Sequence, residues 1–228
     1  KSFKLALKSD PISAYGGIVS CNFRIDKKIA KELNKIFLEV IIGIGISEEA
    51  LNEFKKRKNL RVIDSKNFKV ENFQNINSNL RNILIQSSDY ANFSKKDFKV
   101  VSKIKPSKKS FDNLIFAFNI CRFVKSNAIV IVKEDSTIGI GSGQPSRIDS
   151  CKIAINKMKS FQKNLNNNEI IAASDAFFPF IDGPETLVNS GVSIIVQPSG
   201  SIRDKEIIKY ANKAGIILVF SKTRHFKH

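Results

Sequence analysis

Methionine is nearly absent: the chain of 228 residues holds one, Met158. Translation starts at methionine, so the expectation is that Lys1 is not the native start and that the sequence is an N-terminally truncated or processed piece of something longer. Cysteine is scarce as well. Cys21, Cys121 and Cys151 are odd in number and widely spaced, which argues against a disulfide framework and fits a reducing cytoplasm. Histidine occurs only at positions 225 and 228. Without any CxxC, HxE or HExxH spacing, these residues do not compose a standard zinc site. No GxSxG turn is present, which removes the nucleophile elbow of a hydrolase. No apolar run approaches the roughly 20 residues that span a bilayer. The opening KSFKLALKSDPISAYGG is too polar for a secretory signal, so a cytoplasmic protein is expected.

Acidic side chains are outnumbered, 21 against 38 Lys and Arg, for a net charge of +17. Such a charge invites a nucleic-acid reading. The composition of the excess argues otherwise. Arginine, the better fork for phosphate and bases, supplies only 8 of those cations. The lysines are scattered, and they come with 21 Asn and many Ile and Phe, residues with A/T-rich codons. The excess therefore reads as a biased, solvated surface.

Periodicity alternates between helix and strand. Helical patterns cover 2–9, 26–37, 47–57, 107–126, 147–163, 185–191 and 203–215, the last stopped by Gly215. Short apolar runs of strand type lie at 39–44, 60–64, 82–86, 127–133, 170–174, 192–197 and 216–220, while 13–21 reads as a turn followed by a strand and 136–147 as a strand followed by a Gly-rich turn. Residues 66–79 are polar and Asn-rich and read as a surface excursion. Strands joined by helices define an α/β chain with parallel sheet layers covered by helices. The stretch 95–109, with Pro106, is the best place to divide it, giving 1–105 and 106–228.

Three segments carry chemistry. Gly139-Ile-Gly141-Ser-Gly143-Gln-Pro-Ser146-Arg147 follows a strand and opens a helix, where free N–H groups favour an anion. Glycines there either admit a ligand or make a tight turn, and the pattern alone leaves both open. It is neither a dinucleotide fingerprint nor a GxxxxGK[ST] loop. Ser174-Asp175-Ala-Phe177-Phe178-Pro179-Phe180-Ile-Asp182-Gly183 sits at a strand's C-terminal end, where open α/β sheets place ligands. Its rings could stack on a flat heterocycle or plug two layers, and its two acids need partners. The end of the sequence, Arg224-His225-Phe226-Lys227-His228, reads on its own as a frayed basic tail, with closure over a site as the alternative.

Taken together, KSNAIVIV (125–132), TIGIGSGQPSR (137–147), ASDAFFPFIDGPE (173–185), QPSGSIRD (197–204) and RHFKH (224–228) resemble, in order and spacing, the C-terminal transformylase domain of a bifunctional purine biosynthesis family. That family joins 5-aminoimidazole-4-carboxamide ribonucleotide (AICAR) formyltransferase to IMP cyclohydrolase. DPISAYGGIVSCN (10–22) and EVIIG with SEEAL (39–51) resemble a part further upstream in the same domain. One departure is IGIG (42–45), where relatives carry a proline.

The resemblance implies tandem cytidine-deaminase-like α/β/α units without zinc, the first of them incomplete here, and a homodimer with active sites at the subunit interface. It implies formyl transfer from 10-formyltetrahydrofolate to the AICAR amine. The family assigns that chemistry to a Lys-His-x-Asn-Pro-Cys-Gly motif, which these residues lack and which is expected upstream of Lys1. By position, Gly16, Glu39, Asn127, Arg147, Phe177 and Arg224 match AICAR-binding residues. Arg224 is the candidate for the phosphate, and Asn127 with Arg147 for the carboxamide. Ile148, Asp182, Ser201 and Ile202 match the folate side, and His228 is a candidate to close the site. A potassium ion near the Asp175 loop is also implied. The competing reading is a non-catalytic basic α/β module that binds nucleotides or RNA. A zinc deaminase would share the implied fold but finds no ligands here.

Overall fold

In a computed structural model of the chain, residues 1–69, 74–162, 169–225 and 227 are described. The elements run α1 (Ser2–Ser9), β1 (Gly17–Cys21), α2 (Lys27–Leu33), β2 (Leu38–Gly43), α3 (Glu48–Phe54), β3 (Arg61–Asp64), β4 (Gln74–Asn79), β5 (Asn82–Ser87), β6 (Phe98–Val100) and α4 (Lys108–Cys121). They continue with β7 (Ile129–Lys133), β8 (Ser136–Gly141), α5 (Arg147–Phe161), β9 (Ile171–Ser174), α6 (Asp182–Val188), β10 (Ile194–Pro198), α7 (Asp204–Ala214) and β11 (Ile217–Ser221). Serine or aspartate side chains cap α2, α3, α4 and α5: Asp26, Ser47, Ser107 and Ser146 each accept a backbone N–H of the first turn. Gly215 ends α7 at φ +69°, a left-handed conformation that costs glycine little.

Contacts group the chain into two units, Lys1–Asp10 with Asp89–His228, and Pro11–Ser88. Residues 89–105, which the sequence reading joins to the first domain, contribute β6 to the sheet of the larger unit, where it pairs antiparallel with β11. Helix α1 also belongs there, through Ser9 Oγ 3.0 Å from Thr137 Oγ1 and an ion pair of Lys157 with Asp10.

The larger unit is built on a six-stranded sheet in the order β6-β11-β10-β9-β7-β8. Strands β9, β10 and β11 are mutually parallel, whereas β7 runs antiparallel to both β8 and β9. The sheet is therefore mixed, not purely parallel as strand–helix alternation suggests. The reason is local: Lys133-Glu134-Asp135-Ser136 turns β7 directly into β8, with Glu134 and Asp135 at φ 49° and 58°. Side chains alternate between two cores. Ile129, Ile131, Ala172, Ile195 and Leu218 pack against Cys151, Ala154, Met158, Leu187 and Ile207 of α5, α6 and α7. Val130, Val132, Ile171, Ile194, Val196 and Val219 pack on the other face against Leu114, Ala117, Phe118 and Cys121 of α4. Burial on both faces explains why these strands read as unbroken apolar runs.

The smaller unit holds a parallel three-stranded sheet, β1-β2-β3, and an antiparallel ribbon, β4-β5. Ile25, Ala30, Leu33, Leu38, Ile41, Ala50 and Phe54 are buried. The ribbon uses part of the stretch expected as an excursion: Asn-rich β4 finds its partner in β5.

Candidate functional site

The larger unit has a cleft of about 490 Å³ beyond the ends of β7, β8 and β9. Three chain segments meet around it: residues 145–148 at the start of α5, residues 176–183 after β9, and Arg224 after β11, with Asn127 completing the wall.

Arg147 organises one side. Its side chain is 10% exposed, and it pairs with the carboxylate of Asp175, itself 2% exposed. The same Nη1 donates to Ser174 Oγ at 2.9 Å, and Nη2 donates to Asn127 Oδ1 at 2.8 Å. The other Asp175 oxygen accepts from Ser126 Oγ at 2.6 Å. Asn127 Nδ2 in turn donates to the carbonyls of Gln144 and Pro145, at 2.9 and 3.1 Å. A charge buried this deeply persists only when paired and hydrogen-bonded, and here both partners are. The network ties the start of β7, the end of β9 and the first turn of α5 into one frame.

Gly139 and Gly141 serve packing, whereas Gly143 turns the chain at φ +67°. A Cβ on Gly139 would lie 2.1 Å from the Ala154 carbonyl oxygen, and one on Gly141 1.9 Å from that of Ser150. The close approach at Gly139 and Gly141 is to helix α5, a packing role that the pattern did not announce. That approach sets where the N-terminus of α5 points.

Arg224 forms the other side. Its guanidinium stacks over the Phe177 ring at 4.7 Å, and a Cβ on Gly200 (φ +109°) would sit 3.1 Å from its Nη2. Arg203 stacks likewise on Phe180 at 4.7 Å, which brings the 199–204 turn beside the Phe-rich loop. Gly200 N–H donates to Asp204 Oδ2 at 2.8 Å, which holds that turn.

Of the residues singled out from sequence, the cleft gathers Asn127, Arg147, Ile148, Phe177, Asp182 and Arg224. Ser201 and Ile202 do not line it, and the Ile202 side chain faces solvent. Gly16 and Glu39 belong to the smaller unit, where Gly16 N–H donates to the Phe37 carbonyl at 2.9 Å and Glu39 Oε1 lies 3.9 Å from the place of a Gly16 Cβ. His228 lies outside the described residues. The frayed tail is corrected: His225 is 1% exposed, because its ring packs on Phe93 and Phe118 and bonds Asp89. A histidine following a charged residue in a tail gave no periodic signal of this burial.

Both Asp175 oxygens are engaged, one by a guanidinium, and no step is assigned to potassium. Among the described residues no group of three or more His, Cys, Asp or Glu could hold a metal. Burial pushes the Cys151 thiol up to about 12, with Arg147 pulling weakly the other way, and raises Cys121 well above its usual range. Neither offers a thiolate near neutral pH. Among the described residues, no helix is long and apolar enough to cross a membrane.

Fold and cleft together define a mixed α/β protein with an arginine- and aromatic-lined cleft at strand ends. A family model described as AICARFT/IMPCHase bienzyme matches residues 1–157, and the chain belongs to that family. It is 42% identical over 229 residues to the bifunctional purine biosynthesis protein PurH of Leptospira biflexa serovar Patoc. It is 42% identical over 228 residues to that of Aquifex aeolicus, and 44% over 233 to that of Buchnera aphidicola subsp. Schizaphis graminum. Each comparison covers all of this chain and 44% of the relative, so the chain spans less than half the length of the curated proteins it matches.

Proposed function

We propose that this chain serves de novo purine biosynthesis as the substrate-binding part of a transformylase. The reaction is transfer of the formyl group of 10-formyltetrahydrofolate to the 5-amino group of AICAR, giving FAICAR, which the full-length protein would cyclise to IMP. The new C–N bond forms as the bond from the formyl carbon to folate N10 breaks. The proton leaving the amine is matched by one taken up at N10. The AICAR amine is a weak nucleophile, its lone pair delocalised into ring and carboxamide, so a base and an oxyanion stabiliser are required. We assign neither to these residues: the Lys-His motif expected upstream would supply both.

The observation that carries the reading is convergence. Asn127, Arg147, Phe177 and Arg224, matched to AICAR, and Ile148 and Asp182, matched to folate, come from separate segments and line one cleft. Arg224 would take the phosphate, since a guanidinium on an exposed stretch has N–H groups to offer. Arg147, with three of its N–H bonds already directed to Asp175, Ser174 and Asn127, would present its remaining face to the carboxamide. Ser201 and Ile202 would meet the folate from the 199–204 turn. Gly16 and Glu39 would bind AICAR, by their match to the family, and His228 would close the site. The tandem deaminase-like reading of 1–105 and 106–228, and a homodimer with shared sites, belong to the same proposal.

Calorimetric titration of the chain with AICAR tests it. Saturable binding is expected, weakened about tenfold or more by Arg224→Ala, as for loss of a charge-assisted contact. No binding, or binding indifferent to Arg224, would reject the reading. The purified chain is also expected to form no tetrahydrofolate from the two substrates, and turnover would show that it carries its own base.

A further inference from the structure

Arg224 lies after β11, outside any helix or strand, with its side chain exposed. An arginine so placed reaches a fixed point only if its backbone is also held, since a moving Cα carries the whole side chain with it. The next residue holds it. His225 places Nδ1 2.5 Å from Asp89 Oδ2, and its ring centroid lies 4.4 Å from that of Phe118 and 5.4 Å from that of Phe93. Its backbone N–H donates to the Asp175 carbonyl at 2.9 Å. Two residues on, the Lys227 carbonyl accepts from Ser126 N–H at 2.9 Å, and Lys227 N–H donates to Ser126 Oγ at 3.2 Å.

His225 Nε2 is buried with no hydrogen-bond partner among the described residues. The ring therefore has one directed bond, to Asp89, and that bond sets its rotamer. Asp175 closes the circuit: its carbonyl receives the His225 N–H while its carboxylate holds Arg147. The stretch bearing Arg224 is thus pegged to the same frame as the opposite wall of the cleft.

We propose that His225 is a positioning residue for Arg224: the Asp89–His225 pair, seated against Phe93 and Phe118, holds the Arg224 guanidinium over Phe177, where it meets the phosphate of a ribonucleoside monophosphate. The phosphate clause rests on the binding reading above; the positioning clause does not.

Two measurements on the 228-residue chain separate them. In the first, without ligand, NMR follows the Arg224 Hε resonance, assigned by its loss in Arg224→Lys. Stacking on Phe177 gives it a ring-current shift. His225→Ala removes that shift, Asp89→Asn reduces it, and His225→Asn, which keeps an N–H toward Asp89, restores part of it, while the Arg147 resonance stays in place. An unchanged Arg224 shift in folded His225→Ala overturns the proposal. Should that variant not fold, the same shift unchanged in folded Asp89→Asn overturns it.

In the second, His225→Ala weakens AICAR binding about tenfold, the scale of one charge-assisted contact, but weakens the riboside lacking phosphate by less than about twofold. Equal losses for both ligands mean a purely structural role and also overturn the proposal. If the wild-type chain binds neither ligand, the binding reading fails, and the ring-current measurement still decides the positioning.

Discussion

Asp175 gives its two oxygens to different elements, Arg147 at the start of α5 and Ser126 before β7, and its carbonyl to His225. Removing its charge leaves Arg147 buried without compensation. Asp175→Asn is expected to lower unfolding free energy by about 3 kcal/mol, the usual range for a broken buried pair, read from urea midpoints. His225 predicts a pH dependence. Burial lowers its pKa below the ordinary 6.5, and Arg122 adds to this, while Asp89 and Asp175 oppose it. The unfolded chain therefore takes up the proton first on acidification. The contribution of His225 is complete above about pH 6.5 and is lost as pH falls below it. Denaturant midpoints should drop between pH 7.5 and pH 5 in the wild type, and drop less in His225→Asn.

At the scale of elements, the glycines of β8 make the sharpest prediction. Gly141→Ala drives a methyl against the Ser150 carbonyl oxygen, backbone that cannot swing aside, so the strand or α5 must move. A loss of about 3 kcal/mol is expected, at the upper end for overpacking, together with weakened AICAR binding because α5 carries Arg147 and Ile148. Urea melts and calorimetry check the two halves. Much of this level was legible in the residues. Both-face burial makes β7, β9, β10 and β11 readable as apolar runs, and Ser47 and Ser146 stand as capping residues before α3 and α5. What escaped depends on partners distant in sequence. Strand β6 is three residues, Phe98, Lys99 and Val100, and is a strand because β11 lies beside it. The antiparallel course of β7 follows from a tight turn, and α6 begins at Asp182 inside what reads as loop. The cleft was legible as segments, because Phe-rich and Gly-rich stretches are unusual chemistry. The His225–Asp89 peg was not, since a span of 136 residues separates the pair.

For the molecule as a whole, the charge of +17 separates the proposed function from the RNA-binding alternative. A scattered lysine surface binds polyanions only through counterion release. Fluorescence anisotropy with single-stranded RNA should show weak binding that vanishes by about 200 mM salt, while AICAR binding, with one phosphate contact, changes little. Retained RNA affinity at that salt would favour the alternative. The ion pair at Arg147 has a consequence for the cleft as a binding surface. Asp175 cancels one guanidinium, whereas Arg224 is exposed beside an aromatic face. The two walls are therefore electrically unlike, and the cleft has a polarity. On the reading proposed above, a ligand with a charged end and a neutral amide end would have one favourable way to enter, with the charged end toward Arg224.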